Sequence, residues 1–325
     1  MWMAWLAIMG GFALLLWSAE RFVHGASALA RNLGVSPLVI GMVVMGFGTS
    51  LPEMLVSAIA AVNGNPAMGI GNAIGSNIAN IGLVLGVTAL VVPLSVASGT
   101  LRREYPMLFA VMLVSGILLW DGDLSRGDGV ILFAGFLLVM GWMVWTALNG
   151  RNKGGVDPLV AEFESEIPTG MGTGVAVMWA ILGLIVLIAS SRLLVWGAVE
   201  VAHSLGVSDL VIGLTIVAIG TSLPELAASV MSALKGEDDM AVGNVLGSNM
   251  FNLLAVLALP GLIRPSQLEP AVLERDFAAM ILFSVALFAM AYGFRGPGRI
   301  NRLEGGLLLT GFIAYLGWLG MTGLA

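Results

Sequence analysis

Gly48-Thr49-Ser50-Leu51-Pro52-Glu53 returns later in the chain as Gly220-Thr221-Ser222-Leu223-Pro224-Glu225. Each copy sets a carboxylate and a proline inside a long apolar run. Each is followed by a second shared stretch. The first is Gly71-Asn72-Ala73-Ile74-Gly75-Ser76-Asn77-Ile78-Ala79-Asn80, and the second is Gly243-Asn244-Val245-Leu246-Gly247-Ser248-Asn249-Met250-Phe251-Asn252. The two glutamates stand 172 residues apart, and so do Asn80 and Asn252. A pattern used twice in constant register marks an internal repeat. The register also aligns Gly34–Gly41 with Gly206–Gly213, and Gly25 with Gly197.

The apolar setting decides the class. Of the 325 residues, 58% are hydrophobic and 10% charged, against about 25% charged in soluble domains. Apolar runs reach the roughly 18–20 residues that cross a bilayer as helix. Spans are expected near 2–29, 37–62, 67–93, 104–120, 128–148, 172–201, 209–234, 240–263, 271–294 and 304–323. Met1–Trp17 lacks a basic start and a small-residue cleavage site, so it reads as the first span. The predicted fold is an all-α membrane protein of ten transmembrane helices. Residues 1–148 and 172–325 form two five-helix repeats, and 149–171 form a polar linker. An odd number of spans per repeat inverts the second copy, a design of secondary transporters.

Basic residues set the orientation. One face carries Arg31, Arg102, Arg103, Arg151, Lys153, Lys235, Arg295, Arg299 and Arg302; the other carries Arg126, Arg264 and Arg275. Nine against three places the first set, with the linker, in the cytoplasm. Both termini are then outside. A net charge of −6 gives no reason to expect a nucleic-acid partner. The chain has no cysteine, which excludes disulfides, thiolate metal sites and cysteine nucleophiles.

Glu53 and Glu225 fall near the middle of their apolar runs. A charge at that depth costs at least about 2.5–3.5 kcal/mol and usually marks a pathway or a binding site. The structural alternative is a carboxylate paired with a basic residue or held protonated. The mid-span candidates for such pairing, Arg21 and Arg192, do not repeat in register, whereas the glutamates do. Pro52 and Pro224 have no N–H, so the carbonyls of Gly48 and Gly220 lose their helical partners. Thr49 shares a helix face with Glu53, and Thr221 with Glu225. Ser76 and Asn80 are likewise four apart, as are Ser248 and Asn252, and they lie last in their runs, where they can face the glutamates. Oxygen clusters of this kind suit hard cations. A lone proline would read as a kink. Gly71, Gly75, Asn72 and their counterparts read as small-residue packing with interhelical hydrogen bonds. His24 and His203 do not have metal-pair spacing. Asp121, Asp123 and Asp128 read as a solvated turn, and Glu237-Asp238-Asp239 as a solvated face or helix cap.

At these motifs the chain resembles the cation/calcium exchanger superfamily, in particular the prokaryotic sodium/calcium exchangers and the bacterial YrbG-type calcium/sodium antiporters. The two motifs match the family's alpha repeats, and the pattern covers nearly the whole chain. The resemblance implies a core of spans 2, 3, 7 and 8 around four cation sites, with spans 1 and 6 sliding across it as a gate. It makes Glu53 and Glu225 shared ligands of Ca²⁺ and Na⁺. Thr49, Ser50, Ser76 and Asn80, with Thr221, Ser222, Ser248 and Asn252, complete the shell, and carbonyls near Gly46 and Ala218 contribute. One departure is Asn252, where prokaryotic members often have Asp.

The expected function is Na⁺/Ca²⁺ antiport by alternating access in a plasma membrane (the inner membrane in bacteria). Ca²⁺ and Na⁺ are substrates, and no cofactor, obligate protein partner or enzymatic step is called for. The alternatives are an H⁺- or K⁺-coupled Ca²⁺ exchanger on the same fold and a passive cation channel. Proton-coupled relatives usually lack the proline. An intramembrane enzyme is disfavoured, because no nucleophile–base pair or His-rich motif appears.

Overall fold

The computed structural model describes residues 1–34, 50–96, 98–150, 170–234, 236, 238–292 and 298–322. Thr49, Gly48, Gly46, the first part of the second predicted span and most of the linker lie outside the described residues. So do Arg151, Lys153, Lys235 and Arg295.

The described apolar runs are helical. The helices are α1 (Trp2–Asn32), α2 (Leu51–Val62), α3 (Pro66–Val91), α4 (Ser98–Leu118), α5 (Arg126–Gly150) and α6 (Thr173–Leu205). Then α7 comprises Asp209–Thr221 and Leu223–Leu234, bent by 41° at Ser222. The eighth, α8, runs from Asp238–Phe251 through a wide turn into Ala258–Ile263. Last come α9 (Val272–Phe277 and Ala278–Ala291) and α10 (Arg302–Thr322). A helix therefore lies at each predicted span, the second being described only from Leu51. Among the described residues, α1, α3, α6, the Ala241–Ile263 part of α8, and α10 are each long and apolar enough to cross a membrane alone. The bent α7 qualifies as a sixth.

The repeat register survives in three dimensions. Leu51–Val62 corresponds to Leu223–Leu234, Pro66–Ala79 to Asp238–Phe251, and Gly86–Val91 to Ala258–Ile263, each 172 residues on. Between the last two pairs, the helix widens to π geometry at Asn80–Leu85 and at Asn252–Val256. Both wide turns begin at a predicted ligand.

Burial sorts the helices into centre and periphery. In the most apolar window of α3, and in that of α8, 78% of residues are buried; for α6 the share is 22% and for α10 28%. The outer face of α6 shows Val175, Met178, Ile181, Ile185 and Trp196 exposed, a surface suited to lipid. Around the centre, α2 packs on α3, α7 on α3, and α8 on α7. The α3–α7 crossing is close because two glycines face it. A Cβ at Gly71 would fall on the Leu210 carbonyl, and one at Gly213 on the Met68 carbonyl. Small residues permit such approach where no hydrophobic force separates helix from lipid. The long α1 lies along α6 and touches the centre at few points.

The connections join in two groups. Strand β1 (Leu94–Val96) pairs antiparallel with β4 (Gly298–Ile300), and Ser95 N donates to Asp238 Oδ2 at 2.9 Å. Strand β2 (Asp123–Leu124) pairs with β3 (Ser266–Gln267), and Arg264 lies against Gly64. Loops that the charge count assigns to one face thus meet one another, and so do loops assigned to the other. The acidic turn before α5 is a capping box. Ser125 N donates to Asp128 Oδ2 at 2.9 Å, and Asp128 N to Ser125 Oγ at 3.2 Å, which satisfies the first turn of the helix.

Candidate cation-binding site

The proline motif ends one helix and starts another. In α7, Ser222 N donates to Ala218 O at 3.1 Å, and the next helix begins at Leu223 with Glu225 in its first turn. At α2 the helix starts in the same way: Ser50 is the N-cap, Pro52 sits at the helix start and Glu53 is in the first turn. In both copies the serine carbonyl accepts the first bond of the new helix: Met54 N to Ser50 O at 3.1 Å and Leu226 N to Ser222 O at 3.0 Å. A helix start presents free N–H groups and the positive end of the dipole, which favours a carboxylate there. The sequence thereby places two glutamates at helix starts deep in an apolar protein.

Both are sealed from solvent: Glu53 is 1% exposed and Glu225 0%. They lie close enough to repel each other electrostatically, and Thr221 lies beside Glu53. The Thr221 hydroxyl also lies within reach of Asn72 Oδ1 at 3.2 Å and Val217 O at 3.1 Å. Among the described residues no basic side chain forms an ion pair with Glu53. Arg21 does not serve it; its guanidinium sits over the Trp179 ring, 5.3 Å from the centroid.

The other predicted ligands are also buried. Ser50, Ser76, Asn80, Thr221, Ser222, Ser248 and Asn252 are at most 3% exposed. The helix of Glu53 packs on the wide turn of Asn252, and the helix of Glu225 on that of Asn80. Ser50 Oγ, Asn80 Oδ1, Ser222 Oγ and Asn252 Oδ1 are buried with no donor among the described residues. Buried polar atoms are normally hydrogen-bonded. Oxygens left without donors around two carboxylates have the chemistry of a hard-cation shell, since Ca²⁺ takes about 6–8 oxygen ligands. Among the described residues no three His, Asp or Glu side chains gather to hold a metal, so the neutral oxygens are essential to this reading.

Asn72 ties the site together. Its Nδ2 donates to Glu53 O at 3.2 Å and to Ser57 Oγ at 3.0 Å. Its Oδ1 accepts from Thr221, and from Ser76 Oγ at 3.5 Å. Sequence reasoning assigned Asn72 to interhelical bonding. It does bond between helices, and it does so at the backbone of Glu53. The sequence reading gives Asn77 and Asn249 no role of their own. Asn249 Oδ1 accepts from Asn80 Nδ2 at 3.0 Å, and Asn249 Nδ2 donates to Asn77 O at 3.4 Å. Their recurrence in register was the available signal. Other candidates lie apart from this cluster: His24 faces Glu20 at 4.0 Å on the exposed side of α1.

The chain is similar to known proteins over most of its length. A profile of the sodium/calcium exchanger protein family matches residues 3–145 and 175–321. The chain is 48% identical over 312 residues to the putative antiporter CaxA of Alkalimonas amylolytica, covering 96% of this chain and 97% of that one. It is 43% identical over 311 residues to the inner membrane protein YrbG of Escherichia coli strain K12, covering 95% and 94%. Its fold matches a structure of the sodium-calcium exchanger NCX_Mj soaked with Na⁺ and Sr²⁺. There the TM-score is 0.63 and the identity 34%, with 97% of this chain and 98% of that chain covered.

Proposed function

The chain belongs to the sodium/calcium exchanger protein family, and from that premise we propose that it exchanges Na⁺ for Ca²⁺ by alternating access. Ten transmembrane helices form two inverted five-helix halves, 1–148 and 172–325. Both termini lie outside, and the linker 149–171 is cytoplasmic. The membrane is the plasma membrane, the inner one in bacteria. The observation that carries the reading is the pair Glu53 and Glu225. They are two mutually repelling carboxylates at helix starts, fully buried, with uncommitted Ser and Asn oxygens around them.

Two carboxylates balance one Ca²⁺ or several Na⁺, not both loads at once. Glu53 and Glu225 supply the charge. Thr49, Ser50, Ser76, Asn80, Thr221, Ser222, Ser248 and Asn252 supply neutral oxygens, with Asn72 fixing the first turn of α2. Mutual exclusion at one site couples the fluxes, because each ion drives only the states it binds better. The cycle needs no covalent step, so transport is the whole function. The helix break at Ser222 and the repeated proline motif favour a carrier over an open channel.

The decisive experiment is ⁴⁵Ca²⁺ uptake into proteoliposomes under imposed Na⁺, H⁺ or K⁺ gradients. Uptake that follows internal Na⁺ is expected. Uptake that persists without it, or that follows H⁺ instead, would overturn Na⁺ coupling.

A further inference from the structure

Helices α9 and α10 follow each other in the chain yet touch at few points. An apolar groove of about 350 Å³ separates them. Ala279 and Trp318 line it towards one end, Met290 and Leu307 towards the other. Each wall spans 11 residues, about 16 Å of helix. Half of a bilayer's hydrocarbon core is about 15 Å thick. The groove is therefore as long as one lipid leaflet is deep. Leu282 on one wall and Leu307 on the other are more than half exposed, so the groove opens outward. Inside it, Phe283 Cε1 lies 3.0 Å from where a Cβ at Gly82 would stand, within the wide turn that begins at Asn80.

One end of the groove is polar. There the start of α9 meets the end of α10: Arg275 Nη1 donates to Thr322 Oγ1 at 3.0 Å, and the Tyr315 hydroxyl to Asp276 Oδ1 at 2.8 Å. Arg275 also holds the buried Asp276 through Nε at 2.7 Å and Nη2 at 3.1 Å. A guanidinium has five N–H groups. Three have these partners among the described residues, which leaves two for an acceptor at the groove's end. The setting is not simply cationic. Asp276 and the exposed Glu269 both lie within electrostatic reach of Arg275. One cation beside two carboxylates disfavours a ligand of net negative charge. It suits one that carries a phosphate for Arg275 and an ammonium for Glu269.

We propose that the groove between α9 and α10 seats a zwitterionic aminophospholipid of the surrounding bilayer. One acyl chain lies between the helices, the phosphate meets Arg275 and the ammonium meets Glu269. A spanning helix from a second copy would need a seam about twice as long, whereas this groove closes at the Arg275–Thr322 bridge. The chain supplies the contacts that α9 and α10 do not give each other, and it backs Phe283 against the turn at Gly82. Dispersion contacts of this kind are individually small and collectively large. The seat assumes nothing about which ions the protein carries.

The test counts bound lipid by native mass spectrometry. Purified protein in mild detergent is offered phospholipids with ethanolamine, choline or glycerol headgroups and the same acyl chains. The ethanolamine lipid is expected to be retained about fivefold over the other two, the equivalent of about 1 kcal/mol. Ala314→Trp, which fills the groove from α10, should abolish that preference. Leu138→Trp, on the exposed face of α5, should keep it. Arg275→Gln should lower the retention of all three lipids. Because that change also breaks the pair with Asp276, Glu269→Gln is the mild variant, and it should erase the preference for ethanolamine over choline. Equal retention of the three headgroups by the parent protein overturns the seat, as does a preference undiminished in Ala314→Trp. A dimer that Ala314→Trp dissolves would overturn it too, by giving the groove to a second copy.

Discussion

Asn249 donates its side-chain amide to the main-chain carbonyl of Asn77, at 3.4 Å, and Asn77 is its own counterpart 172 residues earlier. The two repeats therefore touch at equivalent positions. The relation is not fully reciprocal. Asn80 Nδ2 reaches Asn249 Oδ1 at 3.0 Å, but in the mirror pair, Asn252 Nδ2 and Asn77 Oδ1, both atoms are buried without partners. The Asn77 amide is turned to Met280 Sδ at 3.3 Å. The residue in register with Met280 is Leu108, which offers no acceptor. A sequence difference between the halves thus accompanies a difference in their hydrogen bonding.

Asn249→Ala removes both of those bonds and leaves Asn80 Nδ2 buried without an acceptor. An unsatisfied buried donor costs about 1–3 kcal/mol. Thermal unfolding in detergent should show a clear loss of stability. Thr310→Ala serves as the control, since its hydroxyl bonds only within α10, to Gly306 O at 2.7 Å on an exposed face. That variant should stay within a few tenths of a kcal/mol of the parent, as surface substitutions do. Equal stability of the two variants would remove Asn249 from the inter-repeat contact.

Glu53→Gln and Glu225→Gln each preserve shape and remove one charge. Each should lower Na⁺-driven Ca²⁺ uptake to background in a protein that still elutes as a single folded species. A folded variant that transports at the parent rate would end the assignment of that glutamate.

Asn72→Ala strips a donor from Glu53 O and Ser57 Oγ and an acceptor from Thr221 and Ser76. Ser57→Ala removes the hydroxyl between Asn72 and Gly69 O, which accepts from Ser57 at 3.2 Å. Membrane hydrogen bonds average about 0.6 kcal/mol each, so the asparagine variant, which loses four bonds, should lose about twice as much stability as the serine variant, which loses two. It should also weaken Ca²⁺ dependence, because the start of α2 is no longer held against α7. Comparable losses in the two variants would mean that Asn72 is not the organising residue.

Much of this architecture is written in apolar run length. Helices lie at all the predicted spans because about 20 apolar residues leave a membrane chain few other choices. The break at Ser222 was legible from Pro224, and the burial of Glu225 from its mid-run position. The wide turns at Asn80 and Asn252 were not, since one added residue in a helical turn leaves the apolar pattern unchanged. Nor were the pairs β1–β4 and β2–β3, which are too short to show alternation.

The proposed orientation can be read with thiols introduced into the cysteine-free chain. The turn between α2 and α3 offers Gly64 and Asn63. Gly64 has φ +97°, which a side chain resists, so exposed Asn63 is the better site. Asn63→Cys should react in intact cells with an impermeant reagent, whereas Lys153→Cys should react only after the membrane is opened. Inverse labelling would reverse the topology drawn from Arg and Lys counts.

The last prediction follows from the charge of the site. With Glu53 and Glu225 ionised and no cation bound, the centre carries two negative charges in an apolar surrounding. Burying charge is costly, so the unloaded carrier should resist the change of access that the proposed cycle requires. Both legs of the cycle then need a cation. Vesicles loaded with ⁴⁵Ca²⁺ and diluted into choline medium without Na⁺ or Ca²⁺ should release label at the rate of protein-free vesicles. Addition of Na⁺ or unlabelled Ca²⁺ outside should start release at once. Clamping the potential with K⁺ and valinomycin then reads the stoichiometry: three Na⁺ per Ca²⁺ moves one net charge per cycle and makes release voltage-dependent, whereas two Na⁺ leaves it silent. Rapid release into choline medium would show that the two carboxylates do not hold the empty carrier still, and would point to a channel.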